Sequence, residues 1–154
     1  MLPFYPKVLE EILSKLSVAS GRTIAIDGNN CVGKTNLARW LSFHLGCSLI
    51  EVDLFKKTDE FDYFYDEIER LIVSEVGKNN RWIIVDSVAV GWIFKKLGRR
   101  YDFRVYVKNT HSSDTIVDRT DKLGDRLSLY HKEFLPEERA DFVIDSKLDI
   151  SGSS

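Results

Sequence analysis

The sequence lacks the features that mark a secreted or membrane-spanning chain. It has two cysteines, Cys31 and Cys47, too few for a disulfide framework and without metal-site spacing, so we expect free thiols in a reducing cytoplasm. No apolar run approaches the roughly 20 residues that a membrane-spanning helix needs. The first residues show no basic segment followed by an apolar one, so we expect no secretory signal and no membrane partner.

An excess of charge of one sign is also missing. The 22 basic and 24 acidic residues give a formal net charge of −2, and there is no long basic run. We therefore expect no obligatory nucleic-acid partner, and any basic residues that act on phosphate must do so locally. Without proline-rich linkers, repeats or low-complexity tracts, residues 1–154 fit a single domain with a flexible tail at residues 150–154. The oligomeric state is left open.

The sequence does contain apolar patterns that alternate between strand-like and helical periods. The predicted strands are residues 23–27, 48–52, 82–85, 103–107 and 140–144. The predicted helices are residues 6–18 (within an N-terminal segment, residues 1–20), 33–45, 61–76, 88–97 and 114–133. Five strands separated by helices predict a three-layer, doubly wound α/β fold with a parallel sheet. Ligands of such sheets bind beyond the carboxyl ends of the strands.

One motif carries specific chemistry. Residues 28–35, GNNCVGKT, match G-x-x-x-x-G-K-[ST] at every required position. The loop lies between a predicted strand and a predicted helix, as needed for backbone N–H groups and a helix N-terminus to surround phosphate, which argues against a glycine-rich turn with an incidental lysine. Lys34 would span the β- and γ-phosphates and the Thr35 hydroxyl would ligate Mg²⁺, so ATP and Mg²⁺ are the expected cofactors. The residues expected at the nucleotide are Gly28, Asn29, Asn30, Cys31, Val32, Gly33, Lys34, Thr35 and Asn36.

The motif and its surroundings resemble the uridine kinase-like branch of small-molecule P-loop kinases. The resemblance begins with residues 24–35 and continues in the same order through the segments that follow. These are residues 52–56, 84–86, 101–107, 130–136 and 140–144. The resemblance implies strand order 2-3-1-4-5, a lid before the last strand (residues 111–135 here), and transfer of the ATP γ-phosphoryl group to a hydroxyl of a nucleoside or related metabolite.

The resemblance also implies roles for individual carboxylates. Asp53 corresponds to the carboxylate that accepts the proton of the acceptor hydroxyl, although it could instead cap the chain after a strand. Asp86 follows the third predicted strand, where it could hold a magnesium-bound water and bond Thr35, or cap the next helix. Asp27, just before the loop, is interpreted as structural.

The candidate lid carries the remaining predicted catalytic groups. Arg119 resembles the first lid arginine, and Arg126 lies two helical turns further on, so both could close on the γ-phosphate. The acids that alternate with them are equally typical of a solvated, salt-bridged helix. Both interpretations are kept.

The acceptor is expected beside residues 53–81. The arginines of this segment are Arg70 and Arg81, which mildly favours an acceptor without a phosphate. Its aromatic residues could stack on a planar base, although core packing is favoured for Phe61, Phe64 and Tyr65. Two alternatives to a hydroxyl-directed kinase stay open. One is a nucleotide or dephospho-coenzyme A type kinase with a substrate phosphate near Arg70 or Arg99, and the other is an ATP-binding regulatory module or ATPase without small-molecule transfer.

Overall fold

The sheet has the predicted order and direction. The computed structural model describes residues 5–16, 22–29, 32–57, 62–109 and 122–146, with side chains from Gly124 onward in the last range. Its strands are β1 (Thr23–Gly28), β2 (Ser48–Glu51), β3 (Ile83–Asp86), β4 (Phe103–Lys108) and β5 (Phe142–Asp145). They form a parallel sheet of order β2-β3-β1-β4-β5, which confirms the predicted doubly wound architecture.

The central strand explains why apolar runs predicted the sheet. Every residue of β1 is buried because helices cover both faces of the sheet, which is typical of parallel strands. Register pairs Ile26 with Asp86 and Gly28 with Val107, so the carboxyl ends of β1, β3 and β4 meet at one edge. Chemically active residues that follow these strands are thereby gathered at the same edge.

Five helices complete the three layers among the described residues. They are α1 (Tyr5–Leu16), α2 (Lys34–Leu45), α3 (Tyr65–Ile72), α4 (Val90–Leu97) and α5 (Lys122–Phe134). Helices α1 and α2 pack on one face of the sheet and α3 and α4 on the other, while α5 packs against α4. No helix in the described parts of the chain is both long and apolar enough to span a membrane.

Helix α3 begins later than predicted and ends differently. The chain is held extended through Tyr63 by an antiparallel bridge to Lys56, and the Phe64 N–H donates to the Phe55 carbonyl, so the helix starts at Tyr65 rather than residue 61. After Ile72 it widens into a π-helix, Val73–Lys78, in a stretch rich in weak helix formers. Phe64 is 51% exposed, so its predicted place in the core is wrong, and Phe61 lies outside the described residues.

Other boundaries moved by smaller amounts. Helix α4 begins at Val90 rather than residue 88, because a turn follows β3 first. Helix α5 is described from Lys122, so residues 114–121 of the predicted helix lie outside the described residues. The same holds for residues 1–4 and 17–20 of the N-terminal segment and for the predicted tail at residues 150–154.

Candidate functional site

The phosphate-loop motif joins the end of β1 to the start of α2. Gly28 has φ 141°, and a Cβ there would collide with the Val107 carbonyl and lie 3.3 Å from the Lys34 Cδ. Gly33 is left-handed, with φ 90°, and precedes α2 without a side-chain cap. Both glycines are thus required by the backbone path, and the N–H groups of the first turn of α2 keep their capacity for an anion.

Lys34 lies folded back along the loop. Its side chain is buried, and its Nζ donates to the Asn29 carbonyl at 2.5 Å. The Asn29 Oδ1 atom is also buried and has no hydrogen-bond partner among the described residues. The Lys34 ammonium is therefore held at the motif, against the backbone of the loop.

Thr35 and Asp86 are joined directly. The Thr35 hydroxyl donates to the Asp86 Oδ2 at 2.7 Å, which brings the first turn of α2 against the carboxyl end of β3. The other carboxylate oxygen, Oδ1, is buried without a hydrogen-bond partner among the described residues. Burial raises the pKa of Asp86 and the nearby Asp53 charge raises it further, whereas the Thr35 hydrogen bond and the Lys34 ammonium lower it.

A cavity of about 170 Å³ opens beside this pair, and we name it the phosphate-site cavity. Asp53 enters it from a 3₁₀ turn, Val52–Phe55, that follows β2 directly. Glu51, the last residue of β2, also lines it and is paired through both oxygens with Arg39 on α2, at 2.5 and 3.0 Å. The predicted acceptor base is thus near Lys34 and Asp86, although its role stays a prediction.

The donor set fits a hydrated magnesium ion bound with phosphate. Mg²⁺ favours oxygen ligands and keeps several waters, so a hydroxyl and an acceptor-only carboxylate oxygen are suitable neighbours. The hydroxyl of Thr35 and the partnerless buried oxygen of Asp86 provide such atoms next to Lys34. Within the described ranges, no group of three or more acidic, histidine or cysteine side chains could hold a metal alone, so phosphate and water oxygens would have to complete the coordination.

A buried polar network lies behind the loop. Asp27 and Arg104 are 0% and 1% exposed, and the Arg104 Nη2 donates at 2.8 Å to both the Asp27 Oδ2 and the Tyr130 hydroxyl oxygen. The Tyr130 hydroxyl donates to Asp27 and accepts from the Gly91 N–H, while the Gly28 N–H donates to the Asp27 Oδ1. Burial raises the pKa of Asp27, opposed by the charge of Arg104 and the Tyr130 hydrogen bond. Asp27 is therefore an anchor for the loop, in agreement with its interpretation as structural.

A second, larger cavity lies between α3, α4 and α5, and we name it the aromatic cleft. Its volume is about 470 Å³, within the usual range for small-molecule sites. The residues that line it are Tyr63, Tyr65, Ala89, Trp92, Ile93, Lys95, Lys96 and Arg126. The turn after β3 contributes to both cavities, because Ser87 and Val88 line the smaller one and Ala89 lines the aromatic cleft.

The structure brings together some of the predicted site residues and separates others. Asn36 lines an open pocket of about 360 Å³ in front of the loop, with Gly33, Lys34 and Thr35, whereas the Val32 side chain is buried in the core. Arg126 lies in the aromatic cleft, against the Trp92 ring, and its role at the nucleotide stays a prediction. Three predicted site residues lie outside the described residues: Asn30, Cys31 and Arg119.

The two arginines suggested for a substrate phosphate are engaged elsewhere. Arg70 pairs with Glu67 on the same helix at 2.8 Å, and Arg99 pairs with Glu69 at 2.7 Å. Neither is among the residues that line the aromatic cleft.

Sequence reasoning missed several residues near the site. Glu51 could have been found from its position at the carboxyl end of a predicted strand, one residue before the segment that supplies Asp53. Trp92 and Lys96 carry no such signal, because only the packing of α4 against its neighbours brings them to the cleft. Arg104 and Tyr130 are 26 positions apart, and their pairing with Asp27 depends wholly on the tertiary fold.

Comparison with known proteins places this architecture in a recognised class. No protein-family model matches the sequence, and no curated protein matches it either. Among solved structures, the chain is similar to that of a possible uridine kinase from Bacillus stearothermophilus, with a TM-score of 0.61 and 16% sequence identity. The similarity covers 92% of this chain and 97% of that chain. At this identity it shows the fold, which is the α/β fold of the P-loop kinase type.

Proposed function

We propose that this protein is an ATP-dependent small-molecule kinase that transfers the γ-phosphoryl group to a hydroxyl. The proposal depends on one observation: Lys34, Thr35, Asp53 and Asp86 line one cavity at the carboxyl edge of the sheet. These residues come from a phosphate loop, the turn after β2 and the end of β3. A P-loop NTPase without an acceptor needs the loop and the acidic partner but has no need of a carboxylate such as Asp53 beside them.

Each residue has a task that follows from its chemistry. The α2 N-terminus and Lys34 bind the polyphosphate, while Thr35 and Asp86 hold the hydrated magnesium ion. ATP–Mg²⁺ supplies the phosphoryl group: the acceptor oxygen bonds to the γ-phosphorus as the bond to the β–γ bridging oxygen breaks, giving ADP. Asp53 orients the acceptor hydroxyl and takes its proton.

The acceptor side supports a kinase more than a simple ATPase. The aromatic cleft shares the turn after β3 with the phosphate-site cavity and is large enough for a metabolite, so we assign the acceptor to the cleft with its reacting end toward Asp53. A nucleoside or related hydroxyl compound, as the resemblance implies, suits a cleft with aromatic walls. The similarity in fold to a possible uridine kinase supports the proposal of a kinase.

The test combines nucleotide binding with transfer. ATP–Mg²⁺ should raise the melting temperature of the wild-type protein and of Lys7→Ala, whose exposed lysine lies on α1 and not in the loop, but not of Lys34→Ala. A panel of hydroxyl-bearing metabolites should include acceptors that make ADP formation acceptor-dependent. An unchanged ATP shift in Lys34→Ala would refute the loop assignment. ATP binding without acceptor-dependent transfer across the panel would favour a regulatory module or ATPase.

A further inference from the structure

The aromatic cleft has basic side chains on its walls. Lys95, Lys96 and Arg126 line it, and no acidic residue is among the described lining residues. This differs from the phosphate-site cavity, where Glu51, Asp53 and Asp86 line the wall. The two cavities therefore differ in the charge that prevails on their walls.

Some of the charged side chains around the cleft form ion pairs with one another. Lys95 is neutralised by Glu133, with 2.6 Å between Nζ and Oε1, and Glu133 also accepts from the Trp92 indole N–H at 3.0 Å. Asp62, whose charge acts on Tyr65, lies 4.0 Å from the Lys57 ammonium. Glu133 and Asp62 therefore each have a cation beside them.

Lys96 and Arg126 lie against aromatic rings of the cleft. The Lys96 Nζ is 5.8 Å from the Tyr65 ring centroid, and the Arg126 Cζ is 5.9 Å from the Trp92 ring centroid. No carboxylate among the described residues pairs with Lys96. Both side chains are exposed, so a ligand that enters the cleft meets their charged ends where these lie beside the rings.

We propose that the phosphoryl acceptor is a planar, hydroxyl-bearing metabolite with an acidic group, phosphate or carboxylate, that Lys96 and Arg126 bind while its ring lies against Tyr65 and Trp92. This inference rests on the proposed kinase function and narrows its substrate class. It reverses the mild expectation of a phosphate-free acceptor, which considered only arginines of residues 53–81. The cations of the cleft come from α4 and α5 instead.

The position of the acidic group follows from the order of the cavities. The reacting hydroxyl must reach Asp53, in the phosphate-site cavity, and the consecutive residues Val88 and Ala89 line that cavity and the cleft in turn. The acidic group of the acceptor thus lies at the end away from the hydroxyl, where its charge is kept apart from the three carboxylates of the phosphate site. This separation avoids like-charge repulsion.

The experiment measures acceptor affinity by isothermal titration calorimetry in the presence of Mg²⁺ and a non-hydrolysable ATP analogue. The probes are matched pairs: nucleosides with their 3′-monophosphates, which keep the 5′-hydroxyl, and aromatic alcohols with carboxylate derivatives that keep the hydroxyl. We expect the acidic member of at least one pair to bind at least about tenfold more tightly than its neutral partner. The two series distinguish a phosphate from a carboxylate ligand.

Two variants assign the affinity to the cleft. Lys96→Gln and Arg126→Gln should each weaken the acidic ligand by about tenfold and leave the neutral partner within about twofold. Lys7→Gln, an exposed lysine across the sheet, should change neither. Thermal melting of each variant checks that it is folded.

Several outcomes would overturn the inference. These are neutral ligands that bind as tightly as acidic ones, acidic ligands unaffected by either variant, or Arg126→Gln weakening only the ATP analogue. Binding of the analogue with no acidic probe binding would also overturn it while leaving nucleotide binding in place. Failure of the analogue itself to bind would instead contradict the proposed function.

Discussion

The region of the phosphate loop and the aromatic cleft differ in how far their functional side chains are buried. At the phosphate loop, Asp27, Lys34 and Asp86 are buried and hydrogen-bonded, at 0%, 7% and 5% exposed, and Asp53 is the exposed carboxylate of that site. In the cleft the cations Lys96 and Arg126 are exposed and held against aromatic rings. Burial fixes rotamers and pre-organises a site, whereas exposed side chains on helices adapt at little cost in stability. The first arrangement suits a constant ligand and the second a specificity site.

The largest effect on turnover is expected at Asp53, between the phosphate loop and the acceptor. Asp53→Asn should lower turnover by a factor of about 10²–10⁴ because the acceptor proton loses its base, with ATP affinity nearly intact. Steady-state kinetics and the ATP-induced melting shift measure the two effects separately. Glu10→Gln, an exposed carboxylate on α1, serves as the control. Equal losses of turnover and ATP affinity would show that Asp53 is structural.

The buried network should matter most for stability. Arg104→Met leaves the Asp27 carboxylate buried without its cation, so we expect the free energy of unfolding to fall by about 3–5 kcal/mol. Arg99→Met removes a half-exposed pair with Glu69 and should cost less than about 1 kcal/mol. Urea unfolding followed by circular dichroism measures both. Similar losses in the two variants would remove the contrast between buried and exposed charge.

Asp86 tests the magnesium assignment. Asp86→Asn should raise the Mg²⁺ concentration needed for half-maximal ATP-induced stabilisation by about 10- to 100-fold, because a neutral amide holds metal-bound water poorly. Thr35→Val, which removes the hydroxyl partner, should act in the same direction. An unchanged Mg²⁺ requirement in both variants would contradict the assignment.

The pH dependence of the same site follows from the raised pKa of Asp86. Because burial raises that pKa, the carboxyl takes up its proton at a higher pH than an ordinary aspartate, and a protonated group cannot hold the hydrated ion. Mg²⁺-dependent ATP affinity should therefore decline on acidification, beginning above the usual range for aspartate. Titration calorimetry across pH should show a steeper decline in the wild type than in Asp86→Asn, where protonation of the ATP terminal phosphate is the remaining cause.

The smallest effect is expected on the stability of the cleft. Lys96→Gln should change the free energy of unfolding by less than about 0.5 kcal/mol, since the side chain is exposed and has no carboxylate partner among the described residues. Urea unfolding beside Arg104→Met gives the comparison directly. A loss of several kcal/mol would instead show that Lys96 contributes substantially to the stability of the fold.

The predictable part of the fold was the part encoded by local pattern. Apolar runs predicted every strand of the described sheet within two residues, since buried parallel strands need side chains suited to both faces. The predicted start of α3 was wrong, because a helical period does not reveal the tertiary bridge between Lys56 and Tyr63. Phe64 fitted the helical stripe yet is exposed for the same reason.

For the site, the sequence by itself determined the phosphate loop, because contiguous residues supply its glycines, lysine and threonine with the strand and helix that hold them. It also indicated Asp86, which follows a predicted strand of the sheet, and the resemblance to uridine kinase-like enzymes indicated Asp53. Only the tertiary structure decided which distant residues meet: Asp27 with Arg104 and Tyr130, and Lys96 and Arg126 across the cleft. Such contacts depend on how helices dock on the sheet, and docking is set by side-chain packing over the whole chain, so no local spacing records it.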